Sequence, residues 1–440
     1  MVKKVAILGA GPSGILFAHY LLRRDGYRID VYERRADPRN ISFEKSRTYP
    51  LTLNERGLSA LRKIDGLESA VKAQSVEIRG IITHRHNGRT QLLPRNKPIF
   101  ALDRTKLVKI LLDKLTEKYD SNRINLHFNH QCEIVNIGTR TIELQPLSQE
   151  VYGQPSKKFA TGYDLLVGAD GARSVVRKYL LDTELFEFEQ KYVPFDYKPI
   201  FLPCDLEKVD IDLRPGYIHS WRLNDGTTIS LVPMLDKTAS GVIIFPKAKS
   251  RANGLFNKDR VLDFFCRNFP ELGQIIPESE VESFLARLTS TVLTTRCSHY
   301  HYGDSVLLIG DAAHTVSPSL GQGCNLALED VAAFNDLLDK YSDNLTEVIP
   351  EFSTRRQPEG DALLELSQNP FPFSKLLFAE FLLRQSIAKI MNKMFPNIYP
   401  LPLFDLLSEA TVSYSRILKL NQKWILKVNR INNRLIRQVK

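Results

Sequence analysis

The chain has 440 residues, 43% of them apolar and 25% charged, which is the composition of an ordinary globular protein with a sizeable core. Its formal charge of +10 is concentrated at one end: Arg416, Lys419, Lys423, Lys427, Arg430, Arg434, Arg437 and Lys440 stand in a stretch with no acid. About +2 remains for the rest of the chain, so the body carries no charge signature of nucleic-acid binding. Five scattered cysteines, none in a C-x-x-C pair, exclude a disulfide framework and a zinc site and point to a reducing compartment; no metal is expected. No secretory h-region and no run of about 18 apolar residues is present, so the expected location is cytoplasmic.

Residues 3–8 have the pattern of a buried strand and run into Gly9-Ala10-Gly11-Pro12-Ser13-Gly14. A helical period follows over 15–24, then a strand over 28–32 ending at Glu33. In this strand, G-x-G-x-x-G, helix, strand, acid order, Gly9 permits a tight turn and Gly11 the approach of a phosphate. Gly14 lets helix pack on strand, and Glu33 can accept hydrogen bonds from a ribose. The spacing predicts a helix from about 54 to 63, strands over 76–102 around Asn87-Gly88, a helix over 105–119 and a strand over 125–136. An apolar strand over 163–168 leads to Ala169-Asp170-Gly171, and alternating strands from about 186 to 300 predict an antiparallel sheet. The strand 306–309 then enters Gly310-Asp311-Ala312-Ala313-His314, and Gly321-Gln322-Gly323 opens a helix. A carboxylate at a strand end can accept from sugar-like hydroxyls, and a glycine turn before a helix lets backbone N–H groups reach an anion or a ring. Beyond 345 the pattern is helical, punctuated by prolines.

Together these three motifs resemble those of single-component, FAD-dependent aromatic hydroxylases. From about 3 to 415 the chain is similar to the kynurenine 3-monooxygenase branch, through stretches such as Leu126-His127-Phe128-Asn129-His130 and Tyr217-Ile218-His219-Ser220-Trp221. The resemblance implies an α/β fold with a three-layer, Rossmann-type FAD-binding domain built on a parallel sheet from 1–75, 101–185 and 290–345. It implies an antiparallel substrate domain from 76–100 and 186–289, and a C-terminal helical region over 346–440. FAD contacts are implied at Gly9, Gly11, Ser13, Gly14, Glu33, Arg35, Thr52, Arg104, Cys132, Asp170, Asp311, Gly321, Gly323, Cys324 and Asn325. His314 and Cys324 then read as structural, the latter a small filler beside the flavin ring. No catalytic side chain is assigned, because the chemistry belongs to the cofactor. NADPH or NADH would reduce FAD transiently, and O2 would form a flavin C4a-hydroperoxide that hydroxylates a small aromatic substrate. Two other readings stand beside this one: a flavin-dependent oxidase or reductase acting on a non-aromatic substrate, and a redox-responsive flavin-binding scaffold. With Trp221 and Trp424 as the only tryptophans, the Trp-x-Trp-x-Ile segment of flavin halogenases is absent.

The likeness fails where substrate is chosen. The branch holds its substrate's carboxylate with an arginine before the Asn-Gly-type turn and a tyrosine after it, positions that fall here on Ile81 and Arg95. A slip of one or two residues would bring Arg79 into the arginine's place. Two further polar contacts fall on Pro370, with Asn369 beside it, and on Phe404. The resemblance therefore points to an aromatic substrate other than kynurenine, bound through Arg95. In the tail, apolar residues at 417, 420, 424, 428, 431, 435 and 439 form a helical stripe among bases. Two readings of 416–440 stay open: a helix packed on the body, or a helix lying on anionic lipid.

Overall fold

A computed structural model describes residues 2–439 except 42–49, 86–87, 148–156, 184, 205–210, 212, 248–251, 253, 256, 369–371 and 373. Strand Lys3–Leu8 is central in a six-stranded sheet ordered His301–Tyr302, Val306–Leu308, Leu165–Gly168, Lys3–Leu8, Tyr27–Glu33, Ile124–Phe128. All its pairings are parallel except that of His301–Tyr302. A parallel sheet covered on both faces needs apolar runs such as Val5-Ala6-Ile7 and Leu165-Leu166-Val167, all of which are fully buried. Helix Pro12–Leu22 is buried along its whole length against helices Arg104–Lys118 and Gly323–Lys340. It starts three residues before the expected period, because a proline in the first turn has no N–H to satisfy and Gly11 supplies the extended cap.

The expected strand over 125–136 is two strands. Ile124–Phe128 edges the parallel sheet, Asn129 turns the chain at φ +57, and His130–Asn136 enters a three-stranded antiparallel sheet with Thr141–Pro146 and Phe159–Gly162. Asparagine tolerates the left-handed region, and the alternation of side chains continues through the break, so no pattern marked it.

A second, eight-stranded sheet is ordered Ser290–Cys297, Phe188–Pro203, Thr238–Pro246, Thr228–Pro233, Tyr217–Arg222, Val76–His84, Thr90–Asp103, Pro50–Leu53. It is antiparallel except where Tyr217–Arg222 lies along Val76–His84. Of the expected turn between Val76–His84 and Thr90–Asp103, Asn87 lies outside the described residues, and Gly88 donates its N–H to Arg85 O at 2.9 Å. Helices Lys258–Asn268, Pro270–Gly273 and Glu278–Ala286 interrupt the run of strands expected over 186–300. Val261, Phe264, Phe265, Val281 and Phe284 of these helices seal one face of the sheet over Ile200, Leu202, Ile229, Leu231 and Ile243.

The C-terminal helices Leu345–Gln368, Lys375–Met394, Leu403–Ser408 and Tyr414–Val439 share a core of Leu363, Leu366, Phe381, Leu407, Ile417, Trp424 and Val428. The tail stripe is thus turned onto the body at Ile417, Trp424 and Val428. Among the described residues, no helix is long and apolar enough to cross a membrane.

Candidate functional site

The three motifs converge where strands Lys3–Leu8, Leu165–Gly168 and Val306–Leu308 end side by side. Gly9 has φ +104, and a Cβ there would stand 2.4 Å from Ala169 O; a Cβ on Gly14 would stand 2.2 Å from Gly9 O. Only glycine allows these approaches. Gly11 instead faces the Arg104 guanidinium, with Nη2 3.7 Å from where a Cβ would be. The helix N-terminus and this cation together make a seat for phosphate. Glu33 ties the loop to the strand end, accepting from Ala10 N and Arg35 N, both at 3.0 Å. The Arg35 side chain is exposed, while its carbonyl accepts from Asn129 N at 2.9 Å.

Asp170 Oδ2 accepts from Val175 N at 2.6 Å, but its Oδ1 is buried with no hydrogen-bond partner. Burial pushes this carboxyl above the usual carboxylate range, against the pull of the Ser174 hydroxyl and nearby backbone N–H groups. An orphaned buried acceptor beside a phosphate seat fits a ligand that carries hydroxyls as well as phosphates. Burial, and then the Asp170 charge, push the Cys132 thiol up to about 12, so it is a neutral packing group.

The third motif closes over the first. A Cβ on Gly310 would stand 2.8 Å from Ser13 Oγ. Asp311 opens the short helix Asp311–His314 with its side chain exposed, and its charge acts on Cys324 and Tyr197. Asn325 is fully buried and fully committed: Nδ2 donates to Thr52 O at 2.9 Å and Gly321 O at 3.0 Å, and Oδ1 accepts from Asn54 N at 2.9 Å. Its side chain locks strand Pro50–Leu53 onto the Gly-Gln-Gly turn. The N–H groups of Gly323, Cys324 and Asn325 precede the first intrahelical bond, Leu326 N to Gln322 O at 2.9 Å, and so face outward from the turn for a ligand. Burial pushes the Cys324 thiol up to about 12, with Arg104 opposing and Asp311 adding. His314 Nε2 lies 2.5 Å from Asp330 Oδ2, and Arg356 Nε donates to Asp330 Oδ1 at 2.6 Å. Burial alone would lower the His314 pKa, but Asp330 outweighs it and carries it above its ordinary value, so this imidazole is tied to a structural partner rather than free to act as a base.

On the substrate side, Ile81 lies between Leu93 and Ile218 in the eight-stranded sheet. Arg79 is exposed and held by Glu77, Nε to Oε1 at 2.9 Å, so a register slip does not bring it in. Arg95 is half-buried; its Nη2 donates to Ser408 Oγ at 2.9 Å, and its Nε is buried without a partner. Burial lowers its pKa, against the charge of Asp405. Asn54 Nδ2 donates to both Gln322 Oε1 at 2.9 Å and Leu407 O at 3.0 Å, which connects the Gly-Gln-Gly turn to the helix that meets Arg95. Phe404 packs edge-on against Phe381, ring centroids 5.8 Å apart, in the C-terminal core. Asn369 and Pro370 lie outside the described residues. Ser408 and Tyr197 carried no sequence signal, and Asn54 stood only as the expected start of a helix, where the structure makes it the cap.

The family model for an FAD binding domain matches residues 3–366. Kynurenine 3-monooxygenase of Sus scrofa is 29% identical over 430 residues, 96% of this chain and 87% of that protein. Violacein synthase of Chromobacterium violaceum is 27% identical over 450 residues, 98% of this chain and all of that protein. Among solved structures, the tetrameric form of 2-methyl-3-hydroxypyridine-5-carboxylic acid oxygenase superposes with a TM-score of 0.68 at 18% identity, covering 92% of this chain and 96% of that one.

Proposed function

Since the chain belongs to the FAD-binding domain family and is an FAD-dependent monooxygenase of the aromatic-hydroxylase type, we propose that it hydroxylates an aromatic compound other than kynurenine, held through Arg95. The observation that carries this reading is the Arg95 guanidinium, desolvated, bonded to a neutral serine and left with an unpartnered Nε. A half-buried guanidinium with one neutral hydrogen-bond partner, and with Asp405 as the acid acting on it, has room to gain from an anionic group on the ligand. Ile81, where the related branch carries arginine, contributes nothing to such a clamp.

In this reading Gly9, Gly11, Ser13, Gly14, Glu33, Arg35 and Arg104 hold the adenosine and pyrophosphate. Cys132 and Asp170 border the middle of the cofactor, with Asp170 Oδ1 taking a ribityl or ribose hydroxyl. Thr52, Asp311, Gly321, Gly323, Cys324 and Asn325 shape the ring end. Bound FAD supplies the redox chemistry, with NADPH or NADH as hydride donor and O2 as co-substrate. The task of the chain is to orient the aromatic ring against the flavin and keep water from it. Residues 76–100 and 186–289 cover the substrate, and 1–75, 101–185 and 290–345 hold the cofactor.

The test is anaerobic reduction of the bound flavin by NADPH. Kynurenine should leave the rate unchanged, whereas a matching aromatic carboxylate should raise it about tenfold or more. Arg95→Met should abolish that acceleration and leave FAD content intact. A large acceleration by kynurenine refutes the choice of substrate, and one that survives Arg95→Met refutes the role of Arg95 as well.

A further inference from the structure

A second cleft opens on the far side of the eight-stranded sheet, and neither the cofactor nor the substrate reading uses it. Neighbours on parallel strands share a face, so Ile81 with Ile218 and His84 with Trp221 stand on opposite faces. Ile218 packs with Val76 and Ile78, whereas Trp221 belongs to the core sealed by the helices between 258 and 286. Where strands Val76–His84 and Tyr217–Arg222 end beside helices Lys258–Asn268 and Pro270–Gly273, the cleft has a volume of about 240 Å³. A cavity of about 150 Å³ takes benzene, so one substituted ring fits. The walls are aromatic. His84 and Trp221 stack with ring centroids 4.1 Å apart and planes 14° apart, and buried Phe269 lines the same space.

The charges around these walls do not balance. Arg85 donates from Nη2 to the Gln91 amide oxygen at 2.9 Å rather than to an acid. Arg222 reaches the surface, yet the protein around it lowers its pKa, and no charge opposes that shift. Among the described residues neither guanidinium has an acidic partner. Glu271 is the one acid among the described lining residues, and its charge is already met. Its Oε2 accepts from Trp221 Nε1 at 3.0 Å and lies 3.3 Å from His84 Nδ1. His84 Nε2 is 2.9 Å from His219 Nδ1, and His219 Nε2 is 3.1 Å from Arg214 O. These three contacts in a row need three protons, one more than two neutral imidazoles carry. The third therefore sits within the row and offsets the Glu271 carboxylate. Because the facing imidazole nitrogens bond each other, this trio is not a metal seat. Two uncompensated guanidinium charges are left beside aromatic walls.

We propose that this cleft is a second ligand site, built for a small aromatic anion: the ring lies along Trp221 and Phe269, and the anionic group meets the guanidinium groups of Arg85 and Arg222. Apolar walls with a few convergent polar groups are the usual make-up of a small-molecule site, and a guanidinium fork matches a carboxylate. A neutral ring would leave both cations unmatched. A bare inorganic anion would leave the aromatic walls wet.

The proposal does not rest on the substrate reading, and its test on the FAD-loaded full chain keeps the two sites apart. Trp424→Phe leaves Trp221 as the only tryptophan, so the remaining emission reports the cleft. Benzoate should change that emission saturably, with a midpoint below about 1 mM. Its neutral isostere benzamide and ringless acetate should each need about tenfold more. Arg222→Met should raise the benzoate midpoint about tenfold or more and leave FAD content unchanged, whereas Arg95→Met should not move it. On chains that keep both tryptophans, equilibrium dialysis with labelled benzoate should find one site that Arg222→Met weakens and Arg95→Met does not. No saturable change, or an equal response to benzamide, overturns the proposal. So does a midpoint that moves with Arg95→Met and not with Arg222→Met, since Trp221 would then be reporting the substrate site.

Discussion

At Gly310 the backbone stands at φ +59, and the space where a side chain would begin is already taken by Ser13 Oγ at 2.8 Å. Gly310→Ala meets two separate costs, the left-handed backbone and the clash, and together they should lower stability by about 2–3 kcal/mol in urea unfolding. Adding Ser13→Ala should recover the clash and leave the backbone cost. If the double variant is no more stable than Gly310→Ala, the two residues do not press on each other. Glycines of this kind were legible in the sequence because a backbone demand leaves one residue type standing. Asn325 was legible as a member of the motif but not in its manner of working, because its partners Thr52 and Asn54 are over 270 residues away in the chain. Arg95 was visible as a substitution in a resembling pattern, whereas Ser408, more than 300 residues further on, carried no local signal at all.

Helix Pro12–Leu22 was legible as an element, since it is apolar on every side and sits between a glycine turn and a strand. Within it, His19 has Nε2 2.8 Å from Leu111 O on the adjoining helix and a pKa that burial lowers to about 4. An unfolded histidine titrates near 6.5, so between those values the unfolded chain binds a proton that the folded one refuses. Stability therefore falls as pH drops from about 6.5 toward 4, by about 2–3 kcal/mol from this residue. His19→Gln, which keeps an N–H donor, should flatten that part of the curve when urea midpoints at neutral and mildly acidic pH are compared. Equal pH slopes in the two proteins would mean that His19 is protonated without cost. Elements were lost where the pattern had no punctuation. The strand break at Asn129 falls inside an unbroken alternation, and the helices between 258 and 286 are short periods set in a text of strands.

Across the whole molecule, the cofactor-side motif and the C-terminal helices are joined by one buried chain of charges. His314 meets Asp330, Asp330 and Glu329 share Arg356, and Glu329 also takes Arg56 Nη1 at 3.1 Å. Arg56 then donates to Leu407 O at 3.0 Å and to Val412 O, and its guanidinium lies 4.1 Å from the Tyr414 ring centroid. Tyr414 OH closes the loop by donating to Gln322 Oε1 at 3.1 Å, inside the Gly-Gln-Gly turn. No sequence pattern foretold this circuit, because each link joins a different pair of distant segments and none of the residues is unusual where it stands. Its two ends predict different results. Arg356→Met takes one of two cationic partners from the buried Asp330 and from the part-buried Glu329, and should cost about 3 kcal/mol of stability. Tyr414→Phe removes one hydroxyl without changing the packing, so it should cost only about 1 kcal/mol. Because the lost bond holds Gln322, that cost should fall on the bound state and weaken FAD by about fivefold, read from the recovery of flavin fluorescence on dilution. If Tyr414→Phe lowers the unfolding midpoint of the apo and FAD-bound protein equally and leaves FAD affinity unchanged, the C-terminal helix is fastened to the body without shaping the turn.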